Sequence, residues 1–199
     1  MYKRQLLANK NFKEQQLLEF ATRMEGHPDN VAPALFGGLT IAWVDETGPH
    51  HKKLTVHRGI SPLVLVAPNE MSTKLARSLQ PESVPHTDAV FNVSRSALLV
   101  AALTQSPELM MSATEDRLHQ NYRASAMPET SKLISKLREN GHPAVVSGAG
   151  PSVLVLDGDP QNRLEAMDFV KRHFSDWRAL ALAVDFKGAS LEVQSGSGA

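Results

Sequence analysis

The feature that most constrains the fold is a pair of short apolar segments, 144–146 and 153–156, joined by a glycine-rich loop over 147–152. The loop residues are typical of a turn between antiparallel strands. Apolar runs and helical periodicity predict the other elements after residue 60. They are strand 63–67, a short helix over 72–79, helices 87–103, 107–119 and 128–139, the paired strands, a helix from Pro160 and strand 179–186. This order predicts the split β-α-β pattern of a ferredoxin-like sheet, with the glycine-loop pair in its centre.

The residues before position 60 predict a different arrangement. A helix over 12–24 ends at Gly26 and Pro28, and a hairpin follows with strands 39–44 and 53–58. Ser61-Pro62 then resembles a joint between domains. We therefore predict an α+β protein with domains 1–60 and 61–193 and a small, polar, disordered tail over 194–199.

The long helix predicted over 87–103 has two distinct faces. Val90, Val93 and Ala97 recur at helical spacing and predict its core stripe. Asn92 and Arg95 lie on the other face, which is either solvated or part of a binding site.

Composition excludes several classes of function. The 199 residues contain 21 Lys+Arg and 21 Asp+Glu, so no net basic field attracts nucleic acid, and they contain no Cys. No apolar run approaches the ~18 residues that a membrane span requires. We expect a soluble, cytoplasmic protein that binds neither nucleic acid nor membrane.

Polar residues are unusually dense just after the first helix, where Glu25, His27, Asp29 and Asn30 fall within six positions. Buried polar groups each need a partner, so such a cluster is more typical of a metal, phosphate or polar-substrate site than of a core. The alternative is a helix end with an Asp-Asn turn that satisfies loose backbone groups.

The loop over 147–152 also allows two interpretations. Its glycines permit close approach of backbone to a ligand, and its serines add hydroxyl groups. The alternative is a tight hairpin loop without a ligand. The loop has no Lys and is therefore not a P-loop of the Walker kind.

Taken together, these motifs resemble the homoserine kinases of the GHMP small-molecule kinase superfamily. Glu-Gly-His-Pro-Asp-Asn-Val-Ala-Pro-Ala-Leu-Phe-Gly-Gly-Leu, residues 25–39, is similar to the central signature of that family. Ser-Gly-Ala-Gly-Pro-Ser, residues 147–152, resembles the third superfamily motif. Asp-Arg-Leu-His-Gln-Asn-Tyr-Arg, residues 116–123, is similar to the segment that carries a substrate-carboxylate arginine.

The chain departs from the family at its beginning. The family's N-terminal loop, Pro-x-x-x-Gly-Leu-Gly-Ser-Ser, which covers the ATP phosphates, has no counterpart in residues 1–24. The resemblance implies the C-terminal part of a GHMP kinase, with an incomplete N-terminal α/β domain (a helix and a β-hairpin) followed by a ferredoxin-like domain with extra helices. Without that ATP loop, we expect this chain alone to be inactive.

The resemblance implies transfer of the ATP γ-phosphate to the side-chain hydroxyl of L-homoserine, in threonine biosynthesis. Glu25 matches the Mg²⁺-binding glutamate, with Glu19 a weaker metal candidate. Asn30 is expected to orient the hydroxyl, and Asp29 as general base is the rival assignment. His27 either binds substrate or braces the turn.

For the substrate carboxylate, the resemblance makes Arg123 the first candidate and Arg95 with Asn92 the second. The ATP-binding residues that it implies are those of the glycine loop: Ser147, Gly148, Ala149, Gly150 and Ser152. Two other functions stay open, namely another GHMP small-molecule kinase and a non-catalytic remnant that binds an amino acid or a partner. Apolar edges left by missing strands favour aggregation or a homodimer.

Overall fold

A computed structural model describes residues 13–190. These residues form two compact units, one made of 13–55 with 184–190 and the other of 56–183. The predicted boundary near residue 60 stays a prediction. The predicted disordered tail, 194–199, lies outside the described residues.

The first unit contains two helices and a hairpin: α1 (Glu14–Glu25), α2 (Val31–Phe36), β1 (Leu39–Asp45) and β2 (Gly48–Leu54). Leu18 of α1 and Ala32 of α2 are completely buried, because α1 packs on both α2 and β2. The strands pair antiparallel from Leu39 opposite Leu54 to Asp45 opposite Gly48. The second strand predicted at 53–58 was wrong, because the two-residue turn starts its pairing at Gly48.

The second unit is built on a four-stranded antiparallel sheet. Its strands are β3 (Ser61–Val66), β4 (Ala144–Val146), β5 (Val153–Asp157) and β6 (Arg178–Ala181), in the order β4-β5-β3-β6. This is the predicted ferredoxin-like arrangement. The expectation that both glycine-loop strands are central was wrong for β4, which pairs with β5 alone and forms an edge.

Over residues 56–183 the second unit also contains six α-helices, of which the last two pack on the sheet. They are α3 (Thr73–Ser78), α4 (His86–Thr104), α5 (Met110–Ala113), α6 (Gln120–Arg123), α7 (Pro128–Glu139) and α8 (Pro160–His173). Leu133 and Leu137 of α7 are completely buried, as the helical spacing predicts, and α7 ends before Gly141, whose φ is +86°. The core is formed where α7 and α8 pack on the inward side of the sheet. Its residues are Leu63, Leu65, Leu133, Leu137, Ala144, Val153, Val155, Ala166, Val170 and Trp177.

The predicted core stripe of α4 was wrong. Val90 is 55% exposed and Val93 is 71% exposed, and Ala97 is also exposed. The opposite face turns toward the protein, because Asn92 and Arg95 bond to the segment over 115–117. Periodicity shows which residues share a helix face, but tertiary partners decide which face is covered.

The single helix predicted over 107–119 was also wrong. A 3₁₀ turn (Pro107–Leu109) leads into α5, and the helix then stops at Thr114, whose hydroxyl donates to Met110 O at 2.8 Å. The Asp116 carboxylate next accepts backbone N–H groups that a longer helix would use internally. Between residues 13 and 190, no helix has the length and apolar content to cross a membrane.

Candidate functional site

Glu25 occupies the last position of α1, where a glycine stops the helix. Gly26 has φ +95° and donates its N–H to Thr22 O at 2.7 Å, which closes the final turn. A side chain at Gly26 would meet nothing within 4 Å, so glycine is favoured there by its backbone conformation alone. The Glu25 carboxylate is exposed at the end of a rigid element.

The turn after Gly26 is held by the side chains of His27 and Asp29. His27 Nδ1 contacts Asp29 Oδ1, and the same oxygen accepts the Asn30 N–H at 2.9 Å. The His27 side chain is 26% exposed, whereas that of Asp29 is 71% exposed. The geometry therefore gives both residues a role in shaping the turn, which is one of the two roles considered for His27.

Asn30 directly precedes α2 and is exposed. Its side chain does not cap the helix, so the carboxamide stays available to a ligand. Glu19 lies earlier on α1 and accepts a hydrogen bond from Gln15 at 3.3 Å.

Metal-binding groups do not cluster in the part of the chain that the structure describes. Residues 13–190 contain no set of three or more His, Asp or Glu side chains placed to hold an ion. Mg²⁺ commonly takes only one or two protein carboxylates and completes its coordination with water and phosphate. The exposed Glu25 carboxylate is compatible with such a water- and phosphate-completed Mg²⁺ site. It is not compatible with a metal site closed entirely by protein ligands.

A backbone crossing that the sequence did not reveal anchors the end of α2. Gly38 donates to Asp185 O at 2.7 Å, and Ala189 donates to Ala34 O at 2.9 Å. A Cβ on Gly37 would lie 2.5 Å from Gly188 N, and a Cβ on Gly188 would lie 2.5 Å from Leu35 O. Glycine at both positions therefore lets the two backbones touch.

Lys53 reinforces the same crossing. Its Nζ donates to Phe36 O at 2.6 Å and to Phe186 O at 2.5 Å. The segment 185–189 and Lys53 thus fix the position of the C-terminal end of α2, the helix that begins after Asn30. No local pattern identifies this pairing, because more than 130 residues separate Lys53 from Phe186.

In the second unit, Asp116 organises the segment that leads to Arg123. Its carboxylate accepts hydrogen bonds from the side-chain amide of Asn92 at 2.8 Å and from the backbone N–H groups of Leu118, His119 and Gln120 at 3.0, 2.9 and 2.7 Å. Burial raises the pKa of this carboxyl, but the four hydrogen bonds outweigh it, and the pKa falls below its ordinary value. This role of Asp116 was not predicted from the sequence, although Asp is a residue type whose side chain commonly accepts backbone N–H groups in a turn.

The side chains of Asn92 and Arg95 are both engaged within the protein. Asn92 donates to Asp116 and accepts the Arg117 N–H at 2.9 Å. Arg95 forms an ion pair with Glu115 at 2.8 Å and lies over the Phe91 ring at 4.3 Å. Both residues therefore support the segment over 115–117.

Arg123 lies at the end of α6, close to the glycine loop. Its Nη1 is 3.5 Å from Gly148 O. With the Gln80 amide oriented by its neighbours, Gln80 donates to Leu118 O at 2.8 Å and accepts from Arg123 Nε at 2.9 Å. The structure thus places two of the predicted site elements, Arg123 and the loop, side by side.

The glycine loop is a tight turn with an open tip. Ser147 N–H donates to Ser152 O at 2.8 Å, and Gly150 N–H donates to Ser147 O at 3.0 Å. Within residues 13–190, the N–H groups of Gly148 and Ala149 have no hydrogen-bond acceptor. Gly148 is exposed and has φ +58°, so these two successive N–H groups resemble an anion-binding nest.

A cavity of about 490 Å³ adjoins this region within the second unit. Arg138 is one of its lining residues and is held by Thr114 Oγ1 at 2.9 Å and Met111 O at 2.8 Å. Burial lowers the pKa of Arg138, and the nearby Glu115 carboxylate opposes that shift. Asp116 and Gln120 line the same cavity. The cavity therefore adjoins the residues that hold the segment before Arg123 in place.

Comparison with known proteins gives consistent results. Residues 94–176 match the family model for the C-terminal domain of GHMP kinases. The chain is 71% identical over 178 residues to a homoserine kinase of Clavibacter michiganensis, covering 89% of this chain and 56% of the relative. It is 48% identical to a homoserine kinase of Streptomyces coelicolor, over 88% of this chain and 55% of the relative.

The fold agrees with that of a solved homoserine kinase from Cytophaga hutchinsonii. The TM-score is 0.80 at 22% identity, and the match covers 92% of this chain and 62% of the other. At that identity the likeness concerns the fold alone. The chain spans about half the length of the curated relatives it matches.

Proposed function

Because this chain belongs to the GHMP kinase superfamily, with homoserine kinases as its relatives, we propose that it is part of an ATP-dependent homoserine kinase. The observation that carries the proposal is the 71% identity over 178 residues, which include the polar turn, the Arg123 segment and the glycine loop. The product would be O-phospho-L-homoserine. We place the reaction in threonine biosynthesis and the protein in the cytoplasm.

We assign the phosphate-facing roles to the glycine loop and to Glu25. The free N–H groups of Gly148 and Ala149, with the hydroxyls of Ser147 and Ser152, would bind ATP phosphate oxygens. Glu25 would hold Mg²⁺, which when bound neutralises charge on the transferred phosphoryl group. Phosphoryl transfer depends mainly on positioning and charge neutralisation, so an exposed carboxylate and a rigid loop are adequate for it.

We assign the amino-acid-facing roles to Asn30 and Arg123. The Asn30 carboxamide would orient the homoserine hydroxyl, and the hydroxyl proton would pass to phosphate. Arg123 would bind the substrate carboxylate through paired hydrogen bonds. Asp29 as a base is the weaker assignment, because its Oδ1 already bonds to His27 and to the Asn30 N–H.

Asn92 and Arg95 contribute to the substrate site indirectly in this proposal. Their polar groups are engaged by Asp116, Arg117 and Glu115.

The exposed apolar side chains Trp43, Val44, Val90 and Val93 favour self-association, and we propose a homodimer that light scattering can test.

The test uses a chimera that joins this chain to the part of the Clavibacter homoserine kinase outside the matched region. With ATP, Mg²⁺ and a panel of small alcohols, we expect phosphate transfer to L-homoserine above all others, detected by ³¹P NMR. Preference for another alcohol would point to a different GHMP kinase. Binding of L-homoserine without turnover would point to a non-catalytic remnant.

Arg123→Ala gives the residue-level test. Loss of a paired arginine costs on the order of 2–5 kcal/mol of binding, so the KM for homoserine should rise about thirtyfold or more while the KM for ATP stays within about twofold. Arg172→Ala, which removes an exposed arginine of α8, is the matched control. Equal increases in both KM values for Arg123→Ala would contradict the assignment.

A further inference from the structure

The Asp116 carboxylate is completely used within the protein. Oδ1 accepts from Asn92 and from the Leu118 N–H, and Oδ2 accepts from the N–H groups of His119 and Gln120. A carboxylate has about four acceptor positions in all, so no position is left for a ligand. Asp116 therefore does not bind a substrate, although it lies in a segment whose last residue is Arg123.

Four donors on one carboxylate also require the ionised form. An asparagine at position 116 has one oxygen, and its NH₂ group would face two N–H donors. The backbone of 118–120 would then lose two of its three bonds to residue 116 if the NH₂ group takes the Oδ2 position, or one if it takes the Oδ1 position. Because Asp116 is half-buried, water would replace these bonds only after the segment moved.

Gln120 carries the constraint from Asp116 to the arginine. It is the first residue of α6, its N–H is bound by Asp116, and its side-chain Oε1 accepts the Val146 N–H of β4 at 2.8 Å. Arg123 follows three residues later and therefore lies on the same helix face. Gln80 bonds both to Leu118 O and to Arg123 Nε. It therefore links the backbone held by Asp116 directly to the Arg123 guanidinium.

We propose that Asp116 is a positioning residue that fixes the direction of the Arg123 guanidinium and thereby the recognition of the substrate carboxylate. This inference rests on the proposed function, in which Arg123 binds that carboxylate. Asp116 acts through the backbone of 118–120, Gln120 and Gln80. Its effect is therefore confined to ligands that carry a carboxylate.

The test compares L-homoserine with 3-aminopropan-1-ol, which is the same amino alcohol without the carboxylate. Affinity for each is measured by isothermal titration of this chain, and KM and kcat are measured in the chimera. Asp116→Asn and Asp116→Ala should weaken homoserine binding by about tenfold to hundredfold, the range that misplacement of a positioning group produces. Affinity for 3-aminopropan-1-ol, the KM for ATP and kcat at saturating homoserine should stay within about threefold.

Asp88→Asn is the matched control, because it removes a carboxylate that pairs with Arg117 at 3.3 Å without touching the four donors to Asp116. It should leave the preference for homoserine unchanged. Urea unfolding of each variant shows whether that variant is folded. If Asp116→Ala does not fold, the comparison is made with Asp116→Asn alone. Amide hydrogen exchange at 118–120 should accelerate in both Asp116 variants.

The outcomes separate the two proposals. If the unmodified chain and chimera bind no homoserine, the proposed function fails. If they bind homoserine and the folded Asp116 variants keep the preference for the carboxylate-bearing ligand, the positioning role is overturned. Equal loss of affinity for both ligands would also overturn it, because a general structural defect would then explain the result.

Discussion

Gly188→Ala should destabilise the first unit beyond the cost of backbone strain. Gly188 has φ +71°, a conformation that costs a residue with a Cβ about 1–2 kcal/mol. The added Cβ would lie 2.5 Å from Leu35 O, whereas real Cβ contacts stay at 3.0 Å or more. The two backbones must therefore separate by at least 0.5 Å (3.0 minus 2.5 Å).

That separation acts on two specific hydrogen bonds. Gly38 N–H to Asp185 O is 2.7 Å and Ala189 N–H to Ala34 O is 2.9 Å, so the second would reach about 3.4 Å and both would weaken. Each bond contributes about 1 kcal/mol. With the strain, the free energy of unfolding should fall by about 2–4 kcal/mol.

The measurement is urea unfolding followed by the fluorescence of Trp43, in a Trp177→Phe background so that the first unit alone reports. Gly26→Ala is the matched control, because Gly26 also has positive φ, at +95°, but has no atom within 4 Å of the added Cβ. It should cost only the strain, about 1–2 kcal/mol. If Gly188→Ala costs no more than Gly26→Ala, the close backbone crossing does not contribute to stability.

Two further predictions concern the core and acid stability. Leu133→Ala removes a completely buried side chain and should lower the free energy of unfolding by about 2–5 kcal/mol, read by Trp177 fluorescence in urea, whereas Leu164→Ala, at a half-exposed position of α8, should change it by about 0.5 kcal/mol or less; equal losses would refute the assigned core. Hydrogen bonds from the Thr47 hydroxyl and N–H, and from His50, lower the pKa of Asp45 from 3.8 to about 2. The ionised Asp45 carboxylate therefore contributes its full stabilisation at pH values above 3.8, and this stabilisation is lost as the pH falls through the folded-state pKa of about 2. The difference in urea midpoint between the unmodified chain and Asp45→Asn should accordingly be constant above about pH 5 and shrink toward pH 2; a difference that does not change with pH would contradict this.

Patterns local in sequence predicted most of the second unit. The alternation of apolar strands with helices gave the β-α-β-β-α-β order, and the spacing of Leu133 and Leu137 gave the buried face of α7. The glycines at 148 and 150 marked the turn between β4 and β5. Each of these features is decided by residues within a few positions of one another, so a single sequence contains the information.

The features that were missed depend on distant partners. The covered face of α4 is set by Asp116 and Glu115, which lie more than 19 residues away from Asn92 and Arg95. The end of α5 is set by a carboxylate that competes for backbone N–H groups. The segment 185–189 joins the first unit through contacts with residues 34–38, which no periodicity shows.

For the site, the sequence indicated which residues carry polar chemistry but not which of them support others. Arg123 and the glycine loop were each predicted as site residues, and Arg123 Nη1 lies 3.5 Å from Gly148 O. Asn92 and Arg95 have the side chains of a binding site, yet their hydrogen bonds hold a neighbouring segment. Residue type alone cannot separate these two roles, because a guanidinium or carboxamide suits both.

The most direct test of the central claim is an NMR titration of the ¹⁵N-labelled chain with L-homoserine. We expect L-homoserine to shift the Arg123 guanidinium resonance, and 3-aminopropan-1-ol, which lacks the carboxylate, to leave that resonance unchanged. If homoserine binds while the Arg123 resonance does not move, or if 3-aminopropan-1-ol moves it equally, the role of Arg123 in binding the substrate carboxylate is contradicted.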